Sequence, residues 1–187
     1  MDIHTIILAG GKGTRMLSQK AKVLQVLGGT TMLNHVMTAA NKISNKISVV
    51  VGFDKEGVEE EIKKIGINAN TFLQKEQIGT ADAVKTTLKD IDKNEKILIL
   101  YGDVPLIKEE TLKKLCNQES DLSILTTNLE NPTGYGRTLK DKENNVFGII
   151  EEKDADSEQK KIKEIFTGIL VAKGSVLKKY IPEINNN

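Results

Sequence analysis

Three segments of this sequence carry residue types that can do chemistry. The first is LAGGKGTRM, Leu8 to Met16, directly after the apolar run HTIIL. Gly10, Gly11 and Gly13 let the backbone crowd its amides toward a ligand, and successive amides form an anion-binding concavity. Arg15 adds a planar fork suited to phosphate oxygens, and Lys12 a point charge. The Walker spacing G-x-x-x-x-G-K-[ST] does not occur. The dinucleotide pattern G-x-G-x-x-G begins at Gly11-Lys12-Gly13 but meets Met16 where its third glycine belongs. The acidic residue that should close the second strand is also missing, since VVVGFDK supplies only the later Asp54. A flexible surface turn is the competing reading of this loop taken alone.

The second segment is GDVP, 102–105, at the end of the apolar run KILILY. An aspartate at the carboxyl end of a central strand suits a hard divalent cation, because Mg²⁺ takes carboxylate oxygens and keeps waters and phosphates as its other ligands. Asp103 equally suits a helix cap or an Asx turn before Pro105, and the residue alone leaves both open. The third segment is LQKEQIGTADA. There Gln74 can pair with a base edge through its amide, Gly79 permits close approach, and Thr80 is placed to cap the following helix. An ordinary loop and cap is the alternative. Lys22 reads by default as one of many solvated lysines. His4 and His35 show no metal-ligand spacing, and no Ser-His-Asp or Cys-His pattern points to covalent catalysis.

These segments need a frame, and the rest of the chain describes one. The 187 residues carry 27 Lys and Arg against 26 Asp and Glu, a formal net charge of +1. That balance argues against a general nucleic-acid or membrane binder, so any anion site must be built locally. The one cysteine, Cys116, cannot form an internal disulfide, which fits a reducing cytoplasm, and it reads as a packing residue. No apolar run approaches the ~18 residues of a membrane span, and MDIHTIILAGG lacks the basic start of a signal peptide.

Short apolar runs at 4–8, 47–51, 70–74, 96–101 and 121–127 read as strands. They alternate with helical patterns at 31–43, 55–66, 80–91 and 108–118. Gly66 is a plausible stop for the second helix. The alternation predicts an α/β fold, a mostly parallel twisted sheet with helices on both faces. After Asn128 the rhythm changes to a turn and a β-hairpin with KENN at its tip. A strand at 163–173 and a short helix at 175–181 follow. Ligands of such sheets bind beyond the carboxyl ends of the strands, where all three chemical segments fall.

At this level of detail the sequence resembles a known family. The stretches LAGGKGTRM, KVLQVLGGTTMLNHV, LQKEQIGTADAV, LYGDVPLI, NPTGYGR, GIIEEKDADSEQ and EIFTGILVAKG are similar to the sugar-1-phosphate nucleotidyltransferases. Within them they resemble the uridylyltransferase domains of bacterial bifunctional N-acetylglucosamine-1-phosphate uridylyltransferase/glucosamine-1-phosphate acetyltransferases. The resemblance spans essentially the whole chain, and LYGDVPLI with PTGYGR is its most specific part. It implies a Rossmann-like sheet with a small β-hairpin sugar-binding lobe. It also implies a cytoplasmic enzyme of cell-envelope precursor synthesis. The reaction would take UTP and N-acetylglucosamine 1-phosphate to UDP-N-acetylglucosamine and pyrophosphate, with Mg²⁺.

Carried over by motif, Arg15 and Lys22 would be the catalytic cations. Leu8, Ala9, Gly10, Gly11, Gly13, Gln74, Gly79 and Thr80 would meet the nucleotide. Tyr101, Gly102, Gly136, Glu151 and Phe166 would line the sugar site, and Asp103 would hold the metal. A related transferase with another base or acceptor, and a catalytically idle nucleotide-sugar binding module, are the rival functions.

The sequence departs from the family pattern at several places. Gly10 stands for the usual second alanine of the loop. Ala21 stands for the proline before the lysine. Phe166 stands for an asparagine that contacts the sugar. On this resemblance, residues 1–187 form a nucleotidyltransferase domain shortened at its C-terminal end, without the segment that supplies a second metal ligand and without the left-handed β-helix acetyltransferase domain. Trimerisation, which that β-helix supports, is not expected.

Overall fold

The computed structural model describes residues 2–13 and 20–184. In chain order its elements are β1 (Ile3–Leu8), β2 (Val26–Leu27), β3 (Thr30–Thr31), α1 (Met32–Asn41), β4 (Lys46–Val51), α2 (Lys55–Ile65), β5 (Asn70–Leu73), α3 (Thr80–Lys85), β6 (Lys96–Tyr101), α4 (Glu109–Cys116), β7 (Leu122–Asn128), β8 (Arg137–Lys140), β9 (Val146–Ile150), β10 (Glu164–Lys173) and α5 (Gly174–Tyr180). The chain divides into two compact units. One is Met1–Ser123 with Leu170–Asn187, and the other is Ile124–Ile169.

The first unit is built on a parallel sheet in the order β5-β4-β1-β6. Residues 170–173 of β10 lie antiparallel on β6. The strands are apolar on both sides because both faces are covered. Ile6 pairs with Ile99 and Leu8 with Val50, so these side chains share a face. With Ala83 and Val84 of α3, Leu177 of α5 and Ile181, they form one continuous core. Ile7, Val49 and Leu98 project to the opposite face, where α1, α2 and α4 bring Leu33, Val36, Met37, Val58, Ile62 and Leu112, all buried. Burial of one such aliphatic side chain contributes about 1.5–3 kcal/mol, which makes these two layers the main source of stability.

Local chemistry sets the element ends. Thr31 caps α1 by accepting the Asn34 N–H at 3.1 Å. Gly66 ends α2 at φ 74°, as the sequence predicts. Lys96 donates its ammonium to the carbonyls of Cys116 (2.7 Å) and Gln118 (2.5 Å), closing the C-terminal end of α4. Cys116 is buried beside them, and burial pushes its thiol up to about 11.

Two local expectations are corrected. The helix predicted over 80–91 stops at Lys85. Thr86 and Thr87 turn their hydroxyls back onto the carbonyls of Ala83 and Val84, both at 2.7 Å, and the following amides bond three residues back rather than four. Gly79, not Thr80, is the N-cap of α3. The sequence reading also passed over the β2–β3 hairpin, whose Gly28-Gly29 turn has positive φ at both residues.

The second unit contains the antiparallel β8–β9 hairpin, with Ile165 of β10 paired to Arg137. Arg137 is only 1% exposed. Its guanidinium donates to the Tyr135 carbonyl and to the Glu152 carboxylate, so the charge is paired.

At the amino ends of the strands, His4 is fully buried. Its Nε2 lies 2.7 Å from the Ser48 hydroxyl and 3.9 Å from the Asp90 carboxylate, and its Nδ1 faces Glu95 at 3.5 Å. Burial, helped by the nearby Lys46 ammonium, lowers the imidazole below its ordinary value of 6.5 against the opposing pull of Glu95 and Asp90. The folded state therefore favours the neutral ring, which the unfolded chain does not. The resulting stability is complete above pH 6.5 and is lost as pH falls toward the lowered folded value. The unfolding midpoint should drop as pH falls below 6.5, a fall that His4→Gln should lack. Parallel pH profiles of parent and variant would refute this account.

Candidate nucleotide site

The parallel register aligns the strand ends from which the site is made. Leu8 lies opposite Tyr101 and Val50. Backbone bonds continue beyond the strands. The Ala9 amide donates to Val50 O (2.8 Å), Gly102 to Leu8 O (2.9 Å), Phe53 to Gly10 O (3.0 Å) and Gln74 to Val51 O (2.8 Å). These bonds fix the chain at 9–10, 52–53, 74 and 102 as one shelf. A cavity of about 630 Å³ opens above it.

The cavity gathers the nucleotide residues named from sequence. Leu8 through Gly11 and Gly13 form one wall. Gln74, Gly79 and Thr80 come from the segment after β5, and Tyr101 and Asp103 from the end of β6. Gly102 lies between the last two, with its amide on Leu8 O. Arg15 lies outside the described residues.

Lys22 enters the same cavity from the short turn Lys22–Leu24 and sets its ammonium 2.7 Å from Asp103 Oδ2. Gly13, at φ 61°, runs directly over the lysine stem. A Cβ at residue 13 would stand 2.8 Å from Lys22 Cβ, so only glycine lets the loop lie this close. The ion pair is partly exposed, 40% at Lys22 and 29% at Asp103. Such pairs contribute at most about 1 kcal/mol, so this one can be exchanged for stronger partners at little cost. Among the described residues no group of three or more His, Cys, Asp or Glu forms a ready metal cage. A lone carboxylate is nonetheless the donor set Mg²⁺ uses when waters and phosphates complete its shell.

The segment after β5 is organised differently from the sequence reading. Gln74 is 5% exposed, and its Nε2 donates to Gly79 O (3.0 Å) and to Asp82 Oδ2 (2.9 Å). Both amide protons are thus engaged inside the protein, and the side chain braces the Gly79–Thr80 turn while it lines the cavity. The exposed amide on this wall belongs to Gln77, which the sequence reading passed over. Its Nε2 donates to Gln74 O at 3.1 Å. A second glutamine three residues on, just before Ile78-Gly79-Thr80, was the available signal. Thr80 and Tyr101 join their hydroxyls at 3.2 Å on the cavity side. Lys12 Nζ lies 5.5 Å from the centre of the Phe53 ring, a cation–π distance that ties the glycine loop to the segment after β4.

In the second unit, the remaining predicted sugar residues meet one another. The Phe166 amide donates to Gly136 O at 3.1 Å. A Cβ on Gly136 would come within 3.4 Å of Glu151 Oε1 and 3.0 Å of Ile149. Glu151 is exposed and Phe166 half-buried, facing away from the buried Ile165 along the strand.

Known proteins resemble this chain in sequence and fold. The MobA-like NTP transferase domain matches residues 5–153. The chain is 44% identical over 188 residues to bifunctional protein GlmU of Ruthia magnifica subsp. Calyptogena magnifica, covering 100% of this chain and 41% of that one. It is 45% identical over 190 residues to bifunctional protein GlmU of Francisella tularensis subsp. novicida, again covering 100% of this chain and 41% of the relative. The chain thus spans about two fifths of the length of these curated relatives. A 2.76 Å crystal structure from Bacillus anthracis, named for a glucose-1-phosphate thymidylyltransferase, shares the fold with a TM-score of 0.77. That likeness is at 20% identity and covers 98% of this chain and 76% of that one. No helix among the described residues is long and apolar enough to cross a membrane. With glycine loop, lysine and aspartate gathered at the carboxyl ends of a parallel sheet, and residues 5–153 matched by the family's domain, the chain belongs to the MobA-like NTP transferase domain family.

Proposed function

We propose that the chain transfers a uridylyl group from UTP to N-acetylglucosamine 1-phosphate, releasing pyrophosphate. The observation that carries this reading is the Lys22–Asp103 pair, 2.7 Å apart in a cavity walled by the 9–13 glycine loop. Identity of 44–45% along the whole chain to proteins named bifunctional GlmU supports the substrate assignment.

A sugar phosphate oxygen attacks the α-phosphorus of UTP. The new P–O bond forms as the bond to the β-phosphate oxygen breaks, and pyrophosphate leaves with the electron pair. No protein nucleophile takes part, so the site works by positioning and charge neutralisation. The Lys22 ammonium turns from Asp103 to the phosphates. Asp103 and the nucleotide phosphates would hold Mg²⁺, whose charge offsets that developing on the leaving group. Backbone amides of the glycine loop face the nucleotide. Gln77 offers its amide to the uracil edge. Arg15 is assigned a second phosphate contact by its motif. Gly136, Glu151 and Phe166 are assigned the sugar by their motifs.

Pyrophosphate release measured with UTP, CTP and GTP against N-acetylglucosamine 1-phosphate tests the assignment. UTP alone should support it. Equal rates with all three bases would overturn uridylyl specificity, and UDP-sugar binding without pyrophosphate release would make the chain an idle binding module.

Lys22→Ala should lower turnover by roughly 10²–10³-fold, as loss of one preorganised charge does elsewhere. Asp103→Asn should abolish the Mg²⁺ response. Because the ion pair is partly exposed, the unfolding midpoint of either variant should stay near that of the parent. A metal titration of Asp103→Asn that overlays the parent's would contradict the role of Asp103.

Phe166 brings a ring where an amide would hydrogen-bond the sugar. A buried polar group left without its partner costs about 1–3 kcal/mol. Phe166→Asn should therefore raise affinity for UDP-N-acetylglucosamine by roughly tenfold and leave UTP affinity unchanged. Equal sugar-nucleotide affinities by calorimetry would reduce Phe166 to a packing residue.

A further inference from the structure

Asp54 is one of two non-glycine residues with positive φ among the described residues, at φ 54° and ψ 44°. It precedes α2, where an aspartate ordinarily turns its carboxylate onto the first helical amides. Here it makes no cap bond to the helix. Its Oδ2 instead accepts the Ala21 N–H at 3.0 Å, from a residue 33 positions earlier. Gly57 makes room for this. A Cβ at residue 57 would stand 2.6 Å from Asp54 Oδ1, so an alanine there would push the carboxylate aside. A left-handed aspartate is retained only where its surroundings hold it, and such residues gather at functional sites.

The residue it grips is well placed to matter. Ala21 is fully buried, so its N–H needs an acceptor. Its φ of −54° is one a proline ring would fix without help, but alanine does not fix it. The next residue is Lys22, whose ammonium meets Asp103. The segment carrying Asp54 is itself anchored to the glycine loop, through the Phe53 amide on Gly10 O and the Phe53 ring under Lys12.

We infer that Asp54 is a positioning residue. Its carboxylate clamps the backbone ahead of Lys22, supplies the acceptor that an alanine at residue 21 requires, and holds the lysine at the mouth of the glycine loop. The inference rests on the reading that Lys22 acts on the phosphates, and it adds a residue outside the cavity to that machinery.

Three variants of the whole chain test it. Asp54→Gly keeps the left-handed backbone without strain but loses the carboxylate. Relief of the left-handed strain offsets part of the lost hydrogen bond, so the variant should still fold with a somewhat lower unfolding midpoint, while kcat falls roughly tenfold and KM for UTP stays near the parent value, because a displaced catalytic group costs rate more than binding. Asp54→Asn retains an oxygen acceptor and should keep most of the turnover. Adding Ala21→Pro to Asp54→Gly removes the N–H and fixes φ by the ring, and should restore kcat. Parent-like kcat in Asp54→Gly, or a double variant as slow as Asp54→Gly, overturns the inference. Amide exchange at Ala21 reads the clamp without any turnover. It should be slow in the parent and Asp54→Asn, and fast in Asp54→Gly. Equal exchange in parent and Asp54→Gly overturns the clamp. A parent that binds UTP without turnover fails the functional reading alone and leaves the clamp to that exchange measurement.

Discussion

Everything in the first unit depends on the parallel register that seats β1 between β4 and β6. Leu8 opposite Tyr101 and Val50 means that three strands end at the same edge and release their chains side by side. A one-residue slip would turn Ile6 and Ile99 out of their shared core and reverse every side chain on the strand. The apolar burial that holds the register therefore also sets the glycine loop beside Asp103. The chemistry needs no separate scaffold.

On that edge, charge is handled by exchange rather than by accumulation. The whole chain is nearly neutral, so anion attraction has to come from a few groups. Lys22 and Asp103 neutralise each other in a weak, partly exposed pair. On the proposed reading a phosphate would compete for the cation and a divalent metal for the anion, so that one partly exposed pair would give way to two charged contacts. Braces around the cavity keep the exchanging groups in place. Gln74 ties Gly79 to Asp82, Phe53 lies under Lys12, and Asp54 holds Ala21.

Much of this was legible in the sequence, for identifiable reasons. Strands such as KILILY and SVVV announce themselves because burial on both faces demands unbroken apolar runs. The sequence predicts a helix over 80–91, longer than the one formed, because apolar spacing continues through Leu88 and Ile91. Period alone does not show that Thr86 and Thr87 will return their hydroxyls to the preceding turn. The bonds of Gln74 to Gly79 and Asp82 are not legible in the sequence, because residue type gives an amide's capacity and not its burial. The grouping of Gly136, Glu151 and Phe166 was available only through family resemblance, since nothing in their spacing brings them together. In the sequence Asp54 is merely an acidic residue in the wrong place for a dinucleotide fold. Its grip on Ala21 spans 33 residues and needs coordinates to see.

The central claim is that the edge formed by β1, β5 and β6 holds a uridine triphosphate and that the Lys22–Asp103 pair opens to receive it. A crystal structure of the chain with UTP and Mg²⁺ tests this most directly. The account predicts the triphosphate along Gly11–Gly13, the uracil against Gln77, Lys22 Nζ on a phosphate oxygen and the metal on Asp103. A nucleotide bound elsewhere, or one bound here with the Lys22–Asp103 pair still closed, would contradict it.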